Sequence, residues 1–121
     1  MSNIVFYMDK DGNSEILDFM NNLQAKIQTS KDARIQYQQI TQYIQLLCDH
    51  GTRLGENIVK HLEDDIWELR PGNNRVLFFY KKDDNTYVLL HYFRKKTRKT
   101  PAREIIRAKR ERDDWIRRRE Q

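Results

Sequence analysis

A dense group of cations follows the last apolar run of the sequence, in residues 93–105, FRKKTRKTPAREI. Its six members are Arg94, Lys95, Lys96, Arg98, Lys99 and Arg103. Residues 94–121 carry 13 Lys or Arg and 5 Asp or Glu, a net charge of +8, whereas residues 1–93 carry 10 and 13, a net charge of −3. A basic segment on a near-neutral body is typical of a protein that binds a polyanion or an acidic protein. The charge alone is equally compatible with a solvated helix surface.

The rest of the composition excludes several kinds of site. A chain of 121 residues fits one domain, spanning 1–121. Cys48 is the single cysteine, so the chain can form no intramolecular disulfide and no cysteine-based metal site, and a reducing cytoplasm fits. No metal-ligand motif is present. No apolar run approaches the ~18 residues that span a bilayer, and the acids near the N-terminus do not fit a signal peptide. We therefore expect a cytoplasmic protein with no metal, no cofactor and no membrane contact.

Hydrophobic periodicity predicts the elements that must position the cations. Helices are predicted at about 14–27, 30–49 and 101–119, and strands at 3–8, 58–62, 65–69, 75–81 and 86–94. The first two helices should form an antiparallel hairpin. The last two strands are apolar on both faces, which predicts central positions that are covered on each side. The order β-α-α-β-β-β-β-α indicates an α+β domain with a small, twisted antiparallel sheet of three to five strands, the first strand adding at an edge.

Residues typical of helix ends support these boundaries. Asn13 or Ser14 can cap the first helix, and Gly51 can end the second. Thr100 is expected to cap the last helix, with Pro101 at its first position. The last helix has a broken apolar stripe, so its middle should be exposed or meet a partner.

The segment from Lys60 to Ala108 resembles the RelE/ParE superfamily of toxins from bacterial toxin–antitoxin pairs, and in particular its HigB-like, or phage Gp49-like, branch. The strings that carry this resemblance are KHLEDDIWELR (60–70), RVLFFY (75–80), LLHYFRKKTRKTP (89–101) and EIIRA (104–108). The resemblance implies a small twisted sheet with an N-terminal helical hairpin and a C-terminal helix, in agreement with the periodicity.

The resemblance also implies a function. RelE and HigB toxins cut mRNA in the 30S A site of the ribosome, and a HigA-like helix-turn-helix antitoxin neutralises HigB and alone contacts operator DNA. ParE relatives instead poison DNA gyrase, and a non-catalytic basic nucleic-acid-binding module needs only the charged tail. The antitoxin surface stays open between the helical hairpin and the last helix. Trp115 and Ile116 are either part of such a surface or fold back on the sheet.

Metal-free RNA cleavage, in which the 2′-hydroxyl attacks the adjacent phosphate, sets the tasks of the catalytic residues. The 2′-hydroxyl must lose a proton, the phosphorane must be stabilised, and the 5′-oxygen must gain a proton.

Arg75 matches the family arginine that contacts the scissile phosphate, and Lys96 matches the catalytic lysine position. Arg70 should lie close to Arg75, where it either shares an anion or pairs with Glu68 or Asp65. Glu68 is a general base or an ion-pair partner of the arginines. His91 is an acid or base if it faces the cleft, and otherwise a satisfied core residue.

A second group of residues is expected to bind RNA or the ribosome. Alternation along the strand would let only one of Lys95 and Lys96 face the Arg75 site. Because Lys96 matches the catalytic position of the family, Lys95 is expected to contact the RNA backbone, and Phe93 could stack on a base. The complete group is Lys60, His61, Phe93, Arg94, Lys95, Arg98 and Lys99. RelE has a tyrosine near the start of its last helix, and the corresponding segment TPAREI has none.

Overall fold

A computed structural model describes residues 2–120 of the chain. The helices are α1 Glu15–Ala25, α2 Lys31–His50 and α3 Ala102–Arg119. The strands are β1 Asn3–Phe6, β2 Val59–Glu63, β3 Ile66–Leu69, β4 Asn74–Lys81 and β5 Thr86–Arg94. The predicted elements are all present, in the predicted order. Within the described range no helix is both long and apolar enough to cross a bilayer.

The five strands form one mixed sheet in the order β1-β5-β4-β3-β2. β2, β3, β4 and β5 pair with their neighbours antiparallel, whereas β1 pairs with β5 parallel. The antiparallel arrangement predicted from the sequence therefore holds for four strands, and the first strand does lie at an edge. Strands joined by a tight turn pair antiparallel. β1 can pair parallel with β5 because two helices and three strands separate them along the chain, so no tight turn sets their relative direction.

Each face of the sheet buries its own apolar cluster, because successive side chains of a strand point to opposite faces. The face covered by α1 and α2 includes Ile16, Ile40, Leu47, Val76, Phe78 and Leu89. The face covered by α3 includes Ile66, Leu77, Phe79, Val88, Leu90, Ala108 and Trp115. The central strands β4 and β5 thus contribute to both clusters, as their two-sided apolar character predicted.

Trp115 folds back on the sheet rather than forming an exposed contact patch. Its side chain is buried, and its ring meets that of Phe79 edge to face, with 5.8 Å between the ring centroids. Ile116 is partly buried against the same cluster. The middle of α3 keeps one exposed apolar residue, Ile106. The broken apolar stripe of α3 is therefore sufficient to hold the helix on its sheet face.

The helix starts agree with the sequence in two cases and differ in the third. The hydroxyls of Ser14 and Ser30 accept hydrogen bonds from the backbone N–H of Leu17 and Ala33, as N-caps do. In α3, Pro101 occupies the N-cap position, and Thr100 does not cap the helix. The predicted Thr100 cap is wrong because a buried carboxylate, described below, accepts the hydrogen bond of this hydroxyl.

Two isoleucines on α2 allow the contribution of the core to be measured. Ile40 is 0% exposed and Ile35 is 41% exposed. We expect Ile40→Ala to lower the free energy of unfolding by about 2–5 kcal/mol, because it leaves a cavity between α2 and the sheet. Ile35→Ala, the same chemical change on the same helix, should alter it by no more than about 0.5 kcal/mol. Urea denaturation followed by circular dichroism measures both, and equal effects would contradict the packing described here.

Candidate active site

A cavity of about 290 Å³ lies where the end of β5 meets the start of α3. Its lining is dominated by cations and comprises Arg75, Phe93, Arg94, Lys95, Lys96, Thr97, Arg98, Lys99, Thr100, Pro101, Arg103 and Glu104. The volume lies near the lower end of the range for ligand sites. Residues from two strands, the connecting loop and the first turn of α3 therefore converge on one polar space.

The register of β4 and β5 explains why Arg75 reaches this cavity. Arg75 pairs with Phe93, so their side chains share the sheet face that α3 covers. β5 ends at Arg94, and the backbone N–H of Lys95 donates to the carbonyl of Asn73 at 2.8 Å. Because the strand ends there, strand alternation no longer applies to Lys95 and Lys96, and both line the cavity. The sequence-based division, with only one lysine facing the Arg75 site, does not hold.

Arg75 is 6% exposed and is held by several contacts. Its Nη1 donates to the carbonyls of Gly72 at 2.8 Å and Asn74 at 2.9 Å, and its Nε lies 3.8 Å from Oε1 of Glu68. Burial lowers the pKa of Arg75, the charge of Arg70 lowers it further, and Glu68 opposes both effects. Nη2 makes no hydrogen bond or ion pair within residues 2–120. Among the described residues, every buried side-chain N or O atom has a hydrogen-bond partner. Because Nη2 has none, it is not fully buried, and it is the nitrogen of Arg75 that is free to bind an anion.

Helix α2 fixes the turn that carries these carbonyls. Gly72 has a φ of +62°, and a Cβ atom there would lie 2.5 Å from Oε1 of Gln39, so any other residue would be strained and would displace the glutamine. Oε1 of Gln36 accepts from Nδ2 of Asn74 and from Nη1 of Arg94, each at 3.0 Å. The turn and the end of β5 are thus bound to one helix, which keeps the Arg75 side chain in place.

Glu68 lies behind Arg75 and joins three elements. The residue is 1% exposed. Its Oε1 lies 3.6 Å from Nε of Arg70 and 3.8 Å from Nε of Arg75, and its Oε2 accepts from the Thr100 hydroxyl at 2.5 Å. Of the two roles considered from the sequence, these contacts correspond to the ion-pair partner. Arg70 also donates to the carbonyl of Glu56 at 2.9 Å, and it supports the site from outside the lining of the cavity.

Lys60 and His61 line a neighbouring groove of about 400 Å³. Arg98 and Lys99 line both the groove and the cavity, so the two spaces are continuous along the basic loop. His61 is also held by a 2.6 Å contact between its Nε2 and the carbonyl of Asp64. The residues predicted to bind RNA therefore surround the cavity and extend from it toward the edge strand β2.

His91 lies apart from the cavity. It is 0% exposed, with Nε2 3.0 Å from Oε1 of Glu104 and Nδ1 2.6 Å from Oε1 of Glu111. The β4–β5 pairing skips Leu90, and this irregularity leaves Leu90 and His91 both on the α3 side of the sheet. His91 faces the same side as Phe93, yet α3 covers it completely, so it cannot touch a substrate directly.

No role was assigned to Glu104 from the sequence. Glu104 lines the cavity from the first turn of α3 and contacts His91. A signal was available, since Glu104, Ala108 and Glu111 lie at helical spacing on one face. A histidine on the strand beneath that face is the natural partner of such carboxylates.

Comparison with known proteins places this architecture in a family. The family model described as "Phage derived protein Gp49-like (DUF891)" matches residues 18–113, which is most of the chain. The chain belongs to the Gp49-like family. The resemblance to RelE/ParE toxins and their Gp49-like branch, inferred from the sequence, is thereby confirmed. A search of curated proteins gives no match.

A solved structure shares the fold of this Gp49-like protein. The archaeal RelE–RelB complex from Pyrococcus horikoshii contains a chain that is 17% identical, with a TM-score of 0.53, and the match covers 81% of this chain and 98% of that one. A chain of the YoeB–YefM complex from Staphylococcus aureus is 14% identical with a TM-score of 0.49, and the match covers 80% and 99% of the two chains. The predicted α+β, RelE-like fold is confirmed.

The contacts of Glu68 in this Gp49-like protein predict a stability effect. Glu68→Gln keeps an acceptor for the Thr100 hydroxyl but leaves the charges of Arg70 and Arg75 uncompensated. We expect the free energy of unfolding to fall by about 2 kcal/mol or more, because a buried ion pair loses one partner. Urea denaturation measures it, with the exposed Glu56→Gln as the matched control.

A double variant separates charge repulsion from simple loss of packing. Adding Arg70→Gln to Glu68→Gln removes one of the two facing arginines. If repulsion dominates, the double variant should be more stable than Glu68→Gln alone. A double variant that is less stable, by the full cost of Arg70→Gln measured on its own, would contradict the proposed coupling.

Proposed function

We propose that this protein is the toxin of a type II toxin–antitoxin pair and that it cuts mRNA on the ribosome, without a metal, by attack of the 2′-hydroxyl on the adjacent phosphate. The observation that carries the proposal is that Arg75, Lys95 and Lys96 line one cavity. Membership of the Gp49-like family and the RelE-type fold support it.

Arg75 has the properties needed to stabilise the phosphorane. A guanidinium matches phosphate geometry and stays charged. Its side chain is already oriented by the Gly72 and Asn74 carbonyls, so little reorganisation is needed when negative charge develops on the phosphate. The lysines lining the same cavity can supply a proton to the 5′-oxygen, and Lys96 remains the catalytic candidate from the sequence.

The remaining cations provide a path for the RNA backbone. Arg94, Arg98 and Lys99 line the cavity, and Lys60 with His61 continues the basic surface along the neighbouring groove. Phe93 is the aromatic side chain in the cavity lining, where it can stack on a base. Binding through several phosphates should weaken steeply with salt.

An antitoxin partner completes the proposal. Both structural neighbours described above are complexes, of RelE with RelB and of YoeB with YefM. By analogy, and from the HigB-like resemblance, the partner of this chain is a HigA-like helix-turn-helix antitoxin. Operator DNA is then contacted only through that antitoxin, and the toxin itself acts on mRNA in the 30S A site.

The test of this function is cleavage of mRNA on programmed ribosomes, mapped by primer extension. We expect wild-type protein to cut and Arg75→Ala to cut about 10²–10³ times more slowly, because it loses the donor aimed at the phosphorane. Arg53→Ala, an exposed arginine on another part of the surface, is the control and should behave like wild type. Arg75→Lys keeps the charge without the guanidinium fork and should also be slow.

Several outcomes would contradict the proposal. Intact ribosomal mRNA in the presence of a folded protein that still arrests growth excludes ribosome-dependent cleavage, and DNA damage in those cells would favour the gyrase alternative. Equal losses from Arg75→Ala and from every other single cation substitution would favour a non-catalytic basic module. Thermal unfolding of each variant checks that the loss of activity is not loss of fold.

A further inference from the structure

One carboxylate, that of Glu104, is found among the described residues that line the cavity. Apart from Glu104, the charged residues that line it are arginines and lysines. Arginine and lysine side chains carry their protons at neutral pH and act as donors, so they accept a proton only after losing one. The 2′-hydroxyl attack still needs an acceptor for its proton. Within the described lining of the cavity, Glu104 is the side chain that can accept it directly.

The other carboxylate close to Arg75 is not available for this task. Glu68 is almost completely buried and is absent from the cavity lining. Its Oε2 already accepts the Thr100 hydroxyl, and its Oε1 faces Arg70 and Arg75. The proton transfer must therefore use a group on the opposite side of the cavity, on α3.

The contacts of Glu104 hold one oxygen and leave the other available. Oε1 is 3.0 Å from Nε2 of the buried His91, while Oε2 has Arg103 Nε at 3.9 Å, beyond hydrogen-bond distance. His91 is itself fixed by Glu111, whose Oε1 is 2.6 Å from Nδ1 and whose Oε2 lies 3.3 Å from Nε of Arg107. The sequence of contacts Glu104–His91–Glu111 thus positions the carboxylate from the protein interior.

The hydrogen bonds of His91 limit how many protons Glu104, His91 and Glu111 share. An ionised carboxylate only accepts hydrogen bonds, and a neutral imidazole donates from one nitrogen and accepts at the other. Both contacts of His91 are hydrogen bonds only if the three groups together hold two protons. Either His91 carries both, with two ionised glutamates, or one glutamate carries one of them. With both protons on His91, Glu104 is an anion ready to accept a third proton at Oε2.

We infer that Glu104 is the general base of the RNA cleavage reaction and that His91 and Glu111 are positioning residues; this inference rests on the function proposed above. The proton of the 2′-hydroxyl moves to Oε2 of Glu104 as the 2′-oxygen forms a bond to phosphorus. The bond from phosphorus to the 5′-oxygen breaks, and that oxygen takes a proton from a lysine ammonium in the cavity. The products are a 2′,3′-cyclic phosphate and a 5′-hydroxyl. Glu104 then returns its proton to the lysine through solvent, and no oxidation or reduction occurs.

Single-turnover cleavage of ribosome-bound mRNA by Glu104→Gln tests this assignment. The amide keeps an oxygen that can accept from His91 Nε2–H, so the fold should persist, but it cannot accept a proton. We expect cleavage to slow by about 10²–10⁴-fold with unchanged ribosome binding by co-sedimentation. Glu120→Gln, the same change at the exposed end of α3, should cleave at the wild-type rate.

A substrate with sulfur in place of the scissile 5′-oxygen separates a base from an acid. A thiolate leaves without being protonated, so this substrate restores the rate of a variant that lacks the general acid. The rate of Lys96→Met should recover if Lys96 supplies that proton. The rate of Glu104→Gln should not recover, because removal of the 2′-hydroxyl proton is still needed.

Each further outcome decides the assignment. Wild-type cleavage by Glu104→Gln, together with an inactive Arg75→Ala, would overturn the role of Glu104 and leave the proposed function intact. Recovery of Glu104→Gln on the sulfur substrate would make Glu104 the acid and also overturn its role as base. No cleavage by wild type would instead refute the proposed function. If Glu104→Gln fails to fold, Glu104→Asp takes its place. The aspartate side chain is one methylene shorter, so its carboxylate lies further from the substrate. Cleavage by Glu104→Asp at the wild-type rate would argue against direct proton transfer.

The positioning roles have their own readout. Glu111→Gln does not alter the cavity lining but removes the charge that fixes His91. We expect slower single-turnover cleavage of the normal and the sulfur substrate alike, with unchanged ribosome binding. A lower unfolding temperature with an unchanged cleavage rate would show that Glu111 serves only the fold.

Discussion

The buried carboxylate of Glu68 is the interaction on which the cationic site depends. Two arginines that approach each other at the mouth of a hairpin repel, and burial of one of them adds a desolvation cost. Glu68 compensates both arginines from β3, and through the Thr100 hydroxyl it also fixes the segment that leads into α3. One side chain therefore connects the two strands of the hairpin with the start of the last helix, and the cavity lies between them.

The cavity combines a buried, fixed donor with exposed charged side chains. Arg75 is held by backbone carbonyls, whereas Lys95 and Lys96 are exposed on a loop that follows the end of β5. A buried guanidinium has few alternative positions, so its orientation is determined before a ligand arrives. Exposed lysines lose side-chain entropy when they bind, but they attract a polyanion from a distance. This division suits the function proposed above, in which the protein first associates with an RNA-rich surface and then stabilises charge at one phosphate.

Helix α3 has two roles, since it closes one apolar face of the sheet and carries the carboxylates that contact His91. Trp115 and Ala108 supply the packing, while Glu104 and Glu111 alternate with them along the same face of the helix. A histidine surrounded by apolar strands remains satisfied because the helix brings both of its hydrogen-bond partners.

The sequence by itself determined the elements, their order and the two-sided burial of β4 and β5. These features follow from periodicity, from turn residues and from strand ends, all of which are local along the chain. The grouping of Arg75 with the cations after β5 was implied by the resemblance to RelE-like toxins. Tertiary structure alone decided the parallel pairing of β1, the change of role for Thr100, the sharing of Glu68 between two arginines and the bridging of Glu104 and Glu111 by His91. The irregular pairing at Leu90 sets the face of His91, and no local pattern reveals it. Each of these depends on contacts between residues far apart in the chain, whose geometry is set by packing rather than by local propensity.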